Sequence, residues 1–180
     1  MRLLVLLACA LMPALAAAQH APVTAVDATL QPFAHLVGEW EGPAWYLGRD
    51  GARVPLRQHE SVQPLLGGHL LLVQGTGRAV DADGGAGEVV FQAVGVISYD
   101  AEAGRHYFDA YHDGSHLRTE LTPTEGGGFT WSIEAGARPI RYVMRLDEAG
   151  RWVETGYVQR GDSGEMAVIE LTVTRQTETP

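Results

Sequence analysis

The 180-residue sequence predicts an all-β protein, an up-and-down antiparallel barrel of about ten strands behind a short N-terminal helix. Three observations carry that expectation. Short runs of period-2 character recur along most of the chain, each ended by a turn signal. Glycine is abundant (Gly 22) while only 19% of residues are charged, a composition suited to many tight turns. Finally, ten such strands left open would present two unpaired edges, and closure into a barrel removes them.

Residues 1–18 are expected to lie outside the fold. Met1-Arg2 is a minimal positive start, residues 3–15 are almost unbroken apolar, and Ala16-Ala17-Ala18 supplies a cleavage site. These are the parts of a secretory signal peptide, and the run is short for a membrane span. Cleavage after Ala18 would release a secreted or periplasmic chain from Gln19. Leu6-Leu7-Ala8-Cys9 loosely suggests a lipid-anchored cysteine, but the apolar run continues past Cys9. With Cys9 removed, the mature chain has no disulfide and depends on its core. No other long apolar segment suggests a transmembrane anchor.

Charge narrows the partners. The net charge is −9, and all 13 basic residues are Arg with no basic stripe, which argues against nucleic acid or anionic membrane. The 46% apolar content argues against disorder. No composition feature fixes an oligomeric state.

Residues 19–28 read as a leader and 29–177 as the barrel domain. Thr29 can cap a short helix in which Leu30, Phe33, Ala34 and Val37 share a face, with Pro32 in the first turn and Gly38 as the stop. Ten strands follow, at 39–47, 54–63, 69–77, 89–99, 105–112, 116–123, 128–133, 139–146, 151–159 and 165–174. Turn residues separate them, among them Arg49-Asp50-Gly51, Gly67-Gly68, Asp113-Gly114, Gly126-Gly127, Gly136 and Glu148-Ala149-Gly150.

Hairpin turns fix register, and register fixes which side chains share a face. A three-residue loop at 148–150 sets Leu146, Met144, Tyr142 and Ile140 against Trp152, Glu154, Gly156 and Val158. A four-residue loop at 161–164 sets Val158, Gly156, Glu154 and Trp152 against Ala167, Ile169, Leu171 and Val173, leaving Met166 on the other side. Both hairpins put the apolar set on one face, taken as inward. Glu154 is the exception on that face, and a carboxylate there must find a partner or raise its pKa. The Asp113-Gly114 turn places His106, Phe108, Ala110 and His112 with Ser115, Leu117, Thr119 and Leu121 on one face, taken as inward, and sets Asp109 opposite Arg118.

The segment Gly38-Glu39-Trp40-Glu41-Gly42 opens the first strand. Its indole can plug the barrel end beneath the helix, and its glycines let backbones approach. Parity puts Arg175 on the inward face of the last strand. If the first and last strands pair, its guanidinium lies over Trp40. The short helix, the G-x-W opening and the terminal basic residue resemble the lipocalin and fatty-acid-binding (calycin) architecture. More closely, Leu36-Val37-Gly38-Glu39-Trp40-Glu41-Gly42, Leu66-Gly67-Gly68 and Gly95-Val96-Ile97-Ser98-Tyr99-Asp100 resemble a bacterial lipocalin-like family of unknown function. That resemblance implies a ligand-carrying barrel and transfers no activity. Related ten-stranded barrels of the nitrobindin type bind haem through a histidine on a C-terminal strand. The last two strands here contain no His, so no cofactor is expected.

A ten-stranded barrel is usually wide enough to leave a cavity. The expected function is therefore binding of a hydrophobic or amphiphilic small molecule. Trp131, Phe108, Tyr142 and Met144 would form apolar wall and Glu154 a polar anchor, with His106 or Glu60 assisting. An enzyme using Glu154 as acid or base, with His106 or Tyr142, is the alternative. A self-packed barrel with a protein partner is a third. No metal is expected. His112 and His116 flank the same turn on opposite faces, and Asp81-Ala82-Asp83-Gly84 lacks the later ligands of a calcium loop. The glycine runs do not join a strand to a helix, and Ser132 and Ser163 sit in no nucleophile elbow.

Overall fold

The structure, a computed structural model, describes residues 25–134 and 139–177. The expected signal peptide with Cys9, most of the leader and the turn at Gly136 lie outside them. A 3-10 helix (Ala28–Leu36) leads into eleven strands: β1 (Gly38–Leu47), β2 (Arg53–Leu65), β3 (Leu70–Val80), β4 (Ala86–Asp100), β5 (Arg105–His112) and β6 (Ser115–Glu120), then β7 (Thr122–Pro123), β8 (Phe129–Ile133), β9 (Ile140–Leu146), β10 (Trp152–Gln159) and β11 (Glu165–Arg175). All pair antiparallel in one sheet ordered β6-β5-β4-β3-β2-β1-β11-β10-β9-β8-β7. The ring joins its first and last strands, as expected, and is nearly closed.

The extra strand comes from a break at Leu121. The sequence suggests one strand over 116–123. Leu121 is buried, as its face predicts, and its N–H donates to His106 O (2.9 Å), but Thr122–Pro123 pairs with β8 instead of continuing β6. β6 lies beside β8 but is not laddered to it, so the sheet ends at β6 and β7. The barrel therefore has a seam.

The helix differs from expectation in pitch and cap. Asp27, not Thr29, is the N-cap, accepting from Thr29 N at 2.9 Å. The fully buried positions are Leu30, Phe33 and Leu36, a three-residue period that fits a 3-10 turn, not the α-helical spacing through Ala34 and Val37. These side chains fill one end of the barrel with Trp40, Val62, Leu71, Ile97, Leu121, Phe129, Met144, Trp152 and Val173.

The register of β9, β10 and β11 agrees with the hairpin reading from Leu146↔Trp152 to Gly156↔Ile169. Beyond Gly156 a bulge shifts it. Tyr157 then faces Ala167 and Val158 faces Met166, so Met166 takes the inward parity assigned to Ala167. The loop is correspondingly one residue shorter, residues 161–163, closed by Arg160 N donating to Gly164 O. The Asp113-Gly114 hairpin holds as read, with both residues at positive φ and Asp109 opposite Arg118.

The opening G-x-W-x-G has a mechanical explanation. Trp40 is 2% exposed, its Nε1 donates to Leu36 O (2.7 Å), and it meets Trp152 edge to face at 5.8 Å. Gly42 lies against β11, where a Cβ would come within 2.2 Å of Thr172 O. Gly38 has φ +128° and faces the Arg175 guanidinium, whose Cζ sits 4.2 Å from the Trp40 ring.

Candidate functional site

The helix-side core fills only part of the lumen. The remainder is a cavity of about 750 Å³. Its floor is Leu36, Ile97, Leu121, Phe129 and Trp152. Its mouth lies at the other end, among the exposed Tyr46, Val90, Val94, Asp113, Ser115 and His116. Period-2 alternation on every strand puts mostly apolar side chains on this wall. Two carboxyls interrupt it.

Glu154 on β10 is held by two indoles. Trp131 Nε1 donates to its Oε1 at 2.7 Å and Trp152 Nε1 to its Oε2 at 3.1 Å. Enclosure raises its pKa, and the two donors act against that rise. Glu60 on β2 is 7% exposed and accepts one bond, from Gln58 Nε2 to Oε1 at 2.7 Å. Its pKa is raised to about 8, first by burial and further by the charge of Glu154. Two N–H donors thus support the Glu154 carboxyl and one supports Glu60, whose pKa lies above neutrality. β3 makes room for Glu60 by placing Gly75 opposite it, where a Cβ would lie 3.0 Å from both carboxyl oxygens.

Aromatic rings surround Glu154. Trp131 and Tyr142 are stacked at 4.1 Å and 10°, because β8 and β9 put them directly opposite each other. Phe108 meets Trp131 edge-on at 5.1 Å and lies over Gly95. The Tyr142 hydroxyl is pushed up to about 12 by burial and then by the charge of Glu154, so it acts as a neutral donor.

Of the residues read from sequence, Glu154, Glu60, Trp131, Tyr142 and Phe108 come together on the cavity wall. Met144 and His106 do not line it. Met144 is fully buried in the core below Glu154, facing Phe129 across the β8–β9 pair. His106 is committed elsewhere, its Nε2 donating to Thr29 O (2.7 Å) and its ring lying against Phe33 and Tyr99. It fastens the helix to β5. Three contributors were missed. Trp152 and Gln58 each stand two residues before a buried acid on the same strand face, so period-2 parity could have found them. Gly75 could not be found without the β2–β3 register. Gly38, Trp40, Gly42 and Arg175 are at the closed end, in structural positions.

At the mouth, His112 Nδ1 meets Gln92 O at 2.8 Å and His116 Nε2 meets Asp109 at 3.2 Å. Among the described residues no group of three or more His, Cys, Asp or Glu has metal-holding geometry.

No protein-family model matches the chain, and no curated protein matches it in sequence. A solved structure matches in shape. Rv2717c from M. tuberculosis superposes with a TM-score of 0.61 at 12% identity, covering 85% of this chain and 100% of that one. At that identity the likeness shows the fold alone, a barrel suited to holding a ligand.

Proposed function

We propose that this chain is a secreted or periplasmic lipocalin-like barrel that binds a hydrophobic or amphiphilic small molecule in its lumen. The single observation that carries this is the cavity itself. An apolar enclosure of about 750 Å³, open at one end and carrying a few convergent polar groups, has the form of a ligand site rather than of a packed core. Residues 1–18 support the location, as the three-part leader of an exported protein.

Native mass spectrometry of protein purified without denaturation tests the reading. A bound organic mass, lost on unfolding, is expected. A bare protein mass together with no uptake of any apolar probe overturns it. Amino-terminal sequencing of the exported protein is expected to begin at Gln19.

One observation favours a second reading. Two enclosed carboxyls with raised pKa values are a general acid–base arrangement, so an enzyme on the same barrel would use Glu154 with Glu60 or Tyr142. Glu154→Gln separates the two. It abolishes turnover in an enzyme, and in a binder it changes only affinity.

A further inference from the structure

We propose that the cavity selects amphiphiles whose polar end is a protonated amine, seated between the carboxyl groups of Glu60 and Glu154. This rests on the small-molecule reading and specifies its ligand class. Among the described residues, neither enclosed carboxyl has a counter-cation. Glu60 is more than nine-tenths buried, lines the cavity, and its Oε2 accepts no hydrogen bond among the described residues. Gly75 keeps the space beside both its oxygens free of side chain. Among the described residues no arginine lines the cavity. The basic side chains there are His112 and His116, both at the mouth and both already bonded.

Electrostatics then discriminates among ligand heads. A carboxylate or phosphate head would be desolvated against two acids with no cation to meet it. A hydroxyl could hydrogen-bond to Glu60 and leave the enclosed charge of Glu154 uncompensated. An ammonium head supplies several donors, offsets that charge, and stands among the rings of Trp131, Tyr142 and Trp152. The apolar body of the ligand would extend toward Val90 and Val94 at the mouth.

The test uses three amphiphiles with one tail: decylamine, decanol and decanoate, each below its micellar concentration, displacing the neutral fluorophore N-phenyl-1-naphthylamine at pH 7. Decylamine is expected to bind about tenfold more tightly than decanol, or ~1.4 kcal/mol, with decanoate weakest. In Glu60→Gln and in Glu154→Gln the amine-to-alcohol ratio falls toward unity while each variant still takes up decanol, which also shows that it is folded. Decanoate binding as well as decylamine, or a ratio that survives both substitutions, overturns the inference while the small-molecule reading stands. If neither the fluorophore nor decanol binds, that reading fails and the amine preference fails with it.

Discussion

The guanidinium of Arg175, near the last residue of the barrel, lies 4.2 Å over the ring of Trp40, near the first. It also donates to the carbonyls of His35 and Val37, which the end of the 3-10 helix leaves unpaired. One side chain thus joins the helix, β1 and β11. Arg175→Ala is expected to lower stability by roughly 1–3 kcal/mol, the sum of a cation–π contact and partly exposed charge-assisted bonds. Arg175→Lys recovers only part, since an ammonium cannot span two carbonyls and cover the ring together. Urea unfolding of the three proteins measures the order.

Gly42→Ala tests the strand-closing contact directly. The added Cβ would meet Thr172 O at 2.2 Å and Val173 Cα at 2.9 Å, both backbone atoms that no rotamer change can move. A loss of about 3 kcal/mol is expected, visible as a large drop in melting temperature. An unchanged melting temperature would mean that β1 and β11 are not so close.

The buried acid on β2 gives stability a definite pH dependence. The folded-state pKa of Glu60 is about 8, above its unfolded value, so the folded protein holds a proton that the unfolded chain has released. Stability is therefore expected to fall as pH rises from about 4.5 to about 8, at up to ~1.4 kcal/mol per pH unit from this group. Glu60→Gln should flatten that slope and raise stability at pH 8. Denaturant midpoints across this range decide it.

The Glu154 anchor is open to a double-mutant cycle. Trp131→Phe keeps a ring against Tyr142 but deletes the N–H that meets Glu154. Alone it is expected to cost about 1–2 kcal/mol. In a Glu154→Gln background the cost should shrink, giving a coupling energy of about 1 kcal/mol. Simple additivity would contradict the 2.7 Å bond.

Ala93 offers a variant that tests the lumen without touching either acid. It stands opposite Gly75 on the cavity wall. Ala93→Phe should fill the space, abolish uptake of an apolar fluorophore, and leave the melting temperature within a few degrees.

The sequence was most informative where short turns bracket a strand. The β10 hairpins fixed parity from both sides, so Glu154 among apolar neighbours, and Arg175 on the face of Trp40, followed from counting. Counting fails where the backbone departs from strict alternation. The bulge after Gly156 and the break in pairing at Leu121 are tertiary choices with no distinctive residue to announce them. His106 illustrates a different limit. Its parity was right, but its height along the barrel decided whether it met the cavity or the helix, and height depends on stagger across many strands. The association of Glu60 with Glu154 belongs to the same class, since β1 and β11 lie between their strands.

The unladdered boundary between β6 and β8 has a mechanical consequence. A hoop with a slit can change its girth by sliding the two lips apart, whereas an uninterrupted hoop must tear a rung first. Leu117 and Trp131 stand on opposite lips, and both also face the interior. Widening at this slit would fall on the Trp131 side, away from the Trp40–Arg175 clasp and the plugged base.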